Sequence, residues 1–193
     1  GYNKHGQWFD HVVATGHDRT VEQDYRQLSQ IGIKSVRDTV RWPLVDRGYG
    51  RYDFSTVDAF VRAAETYRIC VIWDLFHYGF PRNLNLLSAG FVNRFADYCH
   101  AVAYYLRSRL EGSLWVTPIN EPSFMAYAGG EVGLFAPWLT GRGFDLKVAL
   151  AEAAIAGIDA IRAVDPGARI VNVDPMCRVV PPAGRTDLDE VVD

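Results

Sequence analysis

A chain of 193 residues, 49% hydrophobic and 22% charged, is long enough to bury a real core and has the balance of an ordinary globular domain. Its formal net charge of −3 offers no basic footprint for nucleic acid or an anionic membrane surface. No run is long and apolar enough to cross a bilayer, so neither nucleic acid nor membrane is an expected partner.

Residues 8–15 hold a short apolar run closed by Gly16. Residues 20–31 repeat apolar side chains at helical spacing (Val21, Tyr25, Leu28, Ile31), and Gly32 is placed to end the helix. Residues 33–42 are strand-like. Ser55 stands as an N-cap for a helix over 57–67, whose Val57, Phe60, Val61 and Ala64 share one face. Residues 69–77 predict a strand, and 91–110 a long amphipathic helix. Residues 113–121 are β-branched and apolar, as suits a buried parallel strand. An alanine-rich helix over 146–164 is stopped by Asp165-Pro166-Gly167. Residues 168–173 form a further strand, and 186–193 open another helix.

Cys70, Cys99 and Cys177 show no metal-binding or disulfide spacing. Cys70 and Cys99 read as buried thiols, and the three together point to a reducing, cytoplasmic setting. His5, His11, His17 and His100 show no two-histidine metal spacing, and no metal or organic cofactor is expected.

Strand and helix thus alternate about five times, the pattern of a parallel α/β sheet. No GxGxxG or GxxxxGK[ST] follows a strand, so a nucleotide-binding open sheet has no support. The polar strand ends (Arg37, His77, Asn120, Glu121, Asp174) favour a (β/α)8 TIM barrel, in which several strands feed one site. A whole barrel takes roughly 250 residues. Residues 1–193 are therefore expected to form one partial barrel holding about the first five βα units, with the C-terminal strands absent. A part-barrel leaves two long strand edges unpaired. The expected resolution is a piece of a longer chain; self-association or a partner that completes the barrel is the other.

Glu121 is the leading chemical candidate. A carboxylate ending a buried strand is costly unless it is paired or used. Cleavage of a glycosidic bond needs two carboxyl groups, one of them protonated to meet the leaving oxygen. Asn120 is a candidate for a sugar hydroxyl. Neighbours on a strand face opposite ways, so both reach one ligand only if the strand bends there. Taken alone, Asn120-Glu121-Pro122 is as readily a solvated turn. Arg37 could be a buried structural ion pair with Asp38 or Asp74. His77, a lone histidine, more often fills a structural hydrogen-bonding role, and Trp42 and Trp73 are more often core than stacking platform.

Several segments, in order, resemble the family 1 glycoside hydrolases. Val36-Arg37-Asp38-Thr39-Val40-Arg41-Trp42 is similar to the family's YRFSISW strand. Tyr52-Asp53-Phe54 with Val57-Asp58 resembles its lead into the second helix. Asp74-Leu75-Phe76-His77-Tyr78-Gly79-Phe80-Pro81 is similar to LYHWDLP, Thr117-Pro118-Ile119-Asn120-Glu121-Pro122 to TFNEP, and Gly133-Leu134-Phe135-Ala136-Pro137 to GIFAPG. The resemblance implies a retaining, β-glucosidase-like glycosidase with a carbohydrate substrate. It implies Glu121 as acid/base and Asn120 on the sugar 2-hydroxyl. Arg37 would lie beneath the nucleophilic carboxylate, His77 would donate to a sugar hydroxyl, and Trp42 would lie at the site floor. Several departures mark a divergent branch. Tyr78-Gly79 replaces Trp-Asp, Pro118-Ile119 replaces Thr-Phe, and Gly16-His17-Asp18 stands where the family has a glutamine after its first strand. No ENG-type nucleophile occurs, so the nucleophile is expected outside this chain, which alone should be inactive. Asp74 and Asp174 are conceivable substitute carboxylates, with Asp174 before Pro175 reading better as a turn cap. Two other classes stay open: a non-catalytic barrel that binds a sugar or a protein, and a barrel isomerase or lyase using His77 and Glu121 on a carbohydrate-like ligand.

Overall fold

Four parallel strands form one sheet in the order β1 (Ser35–Thr39), β2 (Cys70–Asp74), β3 (Trp115–Thr117), β4 (Arg169–Ile170). They are seen in a computed structural model that describes residues 1–176, 180 and 182–185. Cys177 and the helix expected to open at 186–193 lie outside the described residues. Before β1 come α1 (His11–Ala14) and α2 (His17–Gln30). From β1 to β2 the chain runs through α3 (Trp42–Val45) and α4 (Asp58–Tyr67), and from β2 to β3 through α5 (Ala89–Arg107). From β3 to β4 it passes α6 (Pro122–Met125), a π-helical turn (Ala126–Glu131) and α7 (Gly143–Val164). Sequential parallel strands joined by helical crossovers are consecutive βα units.

The apolar run at 8–15 is not a strand. Trp8 makes one antiparallel bridge to Tyr2, and α1 follows, capped by the Asp10 carboxylate that accepts from the amide of Val12 at 3.0 Å. The described sheet therefore has four strands where the alternation suggested about five units. β1 is also shorter than expected: Val40 still donates to the Asp74 carbonyl at 2.8 Å, but Trp42 begins α3. Pro43, with no N–H to give a strand ladder, sits in that first helical turn. The expected N-cap Ser55 is instead held in a turn, its amide donating to the Asp53 carboxylate at 3.0 Å, and Val57 precedes the helix. Gly32 does follow α2, at φ 86°, in the left-handed region where glycine is free of steric penalty.

Register decides which side chains share a face. Asp38, Trp73 and Val116 are aligned across β1, β2 and β3, as are Thr39, Asp74 and Thr117 one step on. Period-two alternation puts the two rows on opposite faces. The first row meets the helices, with Trp73 and Val116 each 1% exposed. There Trp42 stacks on Tyr98 of α5, ring centroids 5.2 Å apart, with Phe76 and Phe95 edge-on at the same separation. The Tyr98 hydroxyl lies 3.2 Å and 3.1 Å from the carbonyls of Val40 and Leu75, the ends of both strands. α7 comes close to α5 because Gly157 has no side chain: a Cβ there would lie 2.9 Å from the Phe95 ring.

The opposite face carries no helix. Trp115 is 41% exposed on it, and Cys70, expected to be buried, is exposed there while Cys99 lies buried in α5. Arg37 belongs to this face as well; it is not a buried arginine, its side chain being 34% exposed. In a closed barrel this face is the interior.

Candidate active site

The C-terminal ends of β1, β2 and β3 bring Arg37, His77 and Asn120 into one connected cluster, which Glu121 joins through Tyr78. The Arg37 guanidinium donates to Asn120 Oδ1 at 2.9 Å. Its Nη1 also lies 4.0 Å from Asp74 Oδ2, and that same oxygen is 2.7 Å from His77 Nδ1. Asp74 is 2% exposed. Among the described residues its Oδ1 has no hydrogen-bond partner, and neither has the hydroxyl of Thr117, its in-register neighbour on β3. Two orphan buried acceptors side by side at strand ends are unusual in a core and common at a site.

β3 supplies the bend that lets Asn120 and Glu121 serve one site. The Asn120 amide donates to the Phe76 carbonyl at 3.0 Å, and that of Glu121 to the Val173 carbonyl at 2.9 Å. Glu121 then adopts φ 45°, ψ 60°, left-handed for a non-glycine residue, and Pro122 starts α6. Asn120 is buried, 1% exposed, whereas Glu121 is partly open.

Tyr78 is the residue that sequence reasoning missed. Its hydroxyl donates to Glu121 Oε2 in a short hydrogen bond. Burial above all, and then the Glu121 carboxylate it faces, push the phenol well above its ordinary pKa, so it stays a donor at neutral pH. Tyr78 is itself left-handed, φ 60°, and its ring packs 5.0 Å from that of Phe135. The tyrosine standing where the resemblance expects tryptophan was the available signal, but nothing local said that its hydroxyl would reach residue 121.

A cleft of about 1130 Å³ opens beside these strand ends, walled by Arg37, Asp74, His77, Tyr78 and the apolar rings of Phe9 and Trp138. Arg41 pins the N-terminal segment over it through a 3.1 Å ion pair with Asp10. Asn120 and Glu121 are not in the cleft wall, but their hydrogen-bond partners Arg37 and Tyr78 are. Trp42 borders the cleft but is almost wholly buried. It is 1% exposed, its indole N–H donates to Asp46 at 3.1 Å, and it belongs to the aromatic core. Asp174 accepts from the amide and hydroxyl of Ser123 at 3.1 and 2.5 Å, a long-range contact to the first turn of α6 and not the local turn cap expected before Pro175. No group of three or more histidine, cysteine or acidic side chains able to hold a metal occurs among the described residues, and no helix among them is long and apolar enough to cross a membrane.

Parallel strands whose carboxyl ends gather an acid, an amide, an imidazole and a guanidinium define an α/β barrel-type site. The glycosyl hydrolase family 1 profile matches residues 3–189, and the chain belongs to that family. It is 28% identical over 134 residues to a 1,4-β-D-glucan glucohydrolase of Thermotoga neapolitana, a match covering 65% of this chain and 31% of that one. It is 27% identical over 147 residues to β-glucosidase A of Acetivibrio thermocellus, 72% of this chain and 31% of that one. The solved family 1 β-glucosidase from Thermotoga maritima superposes with a TM-score of 0.82 at 19% identity, covering 91% of this chain and 41% of the other. The same enzyme in complex with glucoimidazole gives 0.82 as well, over 91% and 42%. The fold is thus that of the first βα units of a (β/α)8 barrel, and the chain spans about a third of the length of the curated relatives it matches.

Proposed function

We propose that this chain serves hydrolysis of O-glycosidic bonds in a β-glucosidase-like, retaining reaction, as one part of a barrel completed by further strands. The observation that most supports it is the set Asn120, Arg37 and His77, linked through Asp74 and joined to Glu121 through Tyr78, at three adjacent strand ends in a chain of this family. Glu121, as carboxylic acid, protonates the departing glycosidic oxygen while a carboxylate nucleophile, supplied from outside this chain, bonds to the anomeric carbon. Glu121, now a carboxylate, next takes a proton from the water that displaces the nucleophile and frees the sugar. Tyr78 holds Oε2, which leaves Oε1 for the proton transfer. Asn120, fixed by Arg37, is placed for a hydroxyl of the reacting sugar, and Arg37 supplies positive charge near the incoming carboxylate. Trp42 supports the floor from within the core.

The uncovered inner face of the sheet, with Trp115 and Cys70 exposed, supports completion by more strands, from a longer chain or by association. A cytoplasmic location belongs to the same reading and rests on the free thiols Cys70 and Cys99. The test uses the barrel with its remaining strands and an aryl β-glucoside. Glu121→Gln should lower kcat by roughly 10²–10⁴-fold, the usual contribution of a positioned proton donor, while binding persists. Parent-like activity in Glu121→Gln contradicts the assignment, and the 193 residues alone should show no turnover.

A further inference from the structure

We propose that Asp74 locks the proton of His77 on Nδ1, so that Nε2 faces the cleft as a hydrogen-bond acceptor and a hydroxyl of the sugar donates to it. The inference rests on the glycosidase reading for the identity of the ligand, but not for the position of the proton. It reverses the expectation, drawn from family resemblance, that His77 donates.

His77 Nδ1 lies 2.7 Å from Asp74 Oδ2. The Arg37 guanidinium stands 4.0 Å from the same oxygen, so the carboxylate has a compensating positive charge beside it. An ionised carboxylate offers only lone pairs. At this separation the imidazole nitrogen must bring the hydrogen, because a lone pair on Nδ1 would face a lone pair on Oδ2. A neutral imidazole has one N–H, and with Nδ1 carrying it Nε2 holds the free lone pair. Among the described residues the ring's one side-chain hydrogen bond is through Nδ1; the ring is 44% exposed and lines the cleft.

Asp74 suits this task and little else. It is 2% exposed, its Oδ1 has no partner, and it caps no helix and closes no loop. A buried carboxylate with one idle oxygen destabilises a fold unless its other oxygen does something. What it does is fix one ring in one tautomer and one orientation. Asp74 is therefore a positioning residue: it acts on substrate only through His77. The reading also separates His77 from His17, whose two ring nitrogens each face a carboxylate, Asp24 at 2.6 Å and Asp38 at 2.9 Å. Two acceptors demand two N–H groups, so His17 is an imidazolium and has no lone pair to offer.

The experiment is a long-range proton–nitrogen correlation spectrum of the chain labelled with ¹⁵N-histidine, at a pH where the His77 ring is neutral. His77→Gln assigns the resonances. The parent chain should show His77 as the Nδ1–H tautomer. Asp74→Leu, which keeps the volume and removes both acceptors, should return the ring to the Nε2–H-rich mixture of a free imidazole. An Nε2–H tautomer in the parent overturns the proposal, as does an Nδ1–H tautomer that survives in Asp74→Leu. The parent spectrum decides by itself should that variant not fold. No substrate enters the measurement. A chain that holds Nδ1–H yet belongs to a barrel without glycosidase activity would sink the proposed function and leave the proton assignment standing.

Discussion

His17 and His77 lie on opposite sides of one sheet, and each is held by an aspartate on a strand. Asp38 turns from β1 toward the helices, where His17 bridges it to Asp24 of α2, with the Tyr25 hydroxyl 3.1 Å from Asp38 and that of Thr20 2.7 Å from Asp24. Every polar atom of the His17 ring is occupied. Asp74 turns the other way from β2, and His77 keeps one nitrogen open to a cleft. The first arrangement can only join α2 to the sheet. The second leaves a lone pair, an idle buried oxygen and two left-handed residues, Tyr78 and Glu121, at the same strand ends. The difference lies in the two rings: both nitrogens of His17 are taken, while His77 keeps one nitrogen free beside a buried carboxylate oxygen without a partner.

The contrast is open to attack, beginning with the largest effect. Trp42→Ala should destabilise the chain by about 3–5 kcal/mol, as large-to-small changes in a close-packed aromatic core do. Urea unfolding measures it, and a small loss would place Trp42 with the site instead of the core. His17→Gln should lose roughly 2 kcal/mol, the ring being about a quarter exposed and its interactions partly screened by solvent. The hydrogen bond to Asp38 first, opposed by burial and reinforced by Asp24, raises the His17 pKa from 6.5 to about 9. Because the folded value exceeds the unfolded one, this stabilisation is complete below about pH 6.5 and fades as pH rises through about 9. A stability profile of the parent should fall across that window, and that of His17→Gln should be flatter. His77→Gln, on the working side, should cost only about 1 kcal/mol, the loss of one hydrogen bond to a buried group. Equal losses at the two histidines would break the comparison. Arg142→Ala removes an ion pair about half-exposed at both ends and should change stability by less than about 0.5 kcal/mol.

Much of the helix side was legible along the chain because its signals are local. Val57, Phe60, Val61 and Ala64 repeat at helical spacing, and all four are buried. Of the strand expected over 113–121 only Trp115–Thr117 is strand, and the residues after it make the bend that Asn120 and Glu121 need. The strand at 33–42 was overdrawn because apolar letters continue past the point where Pro43 turns the backbone. The run at 8–15 has strand-like letters but no neighbour in the sheet to pair with. The working side was legible only as a set of residue types. Arg37, His77, Asn120 and Glu121 could be nominated, but their links run through contacts between residues up to 83 positions apart, as with Arg37 and Asn120. The Tyr78 hydroxyl on Glu121 and the Asp74 carboxylate on His77 depend on rotamers and strand register, which no spacing rule encodes.

The most direct test of Glu121 as acid/base is azide rescue of Glu121→Ala in the complete barrel, with an aryl β-glucoside whose leaving group needs no proton. The account predicts that azide enters the space left by the carboxylate, restores the rate of sugar release and yields a β-glycosyl azide with retained configuration. A variant whose rate does not respond to azide and that forms no glycosyl azide would contradict it.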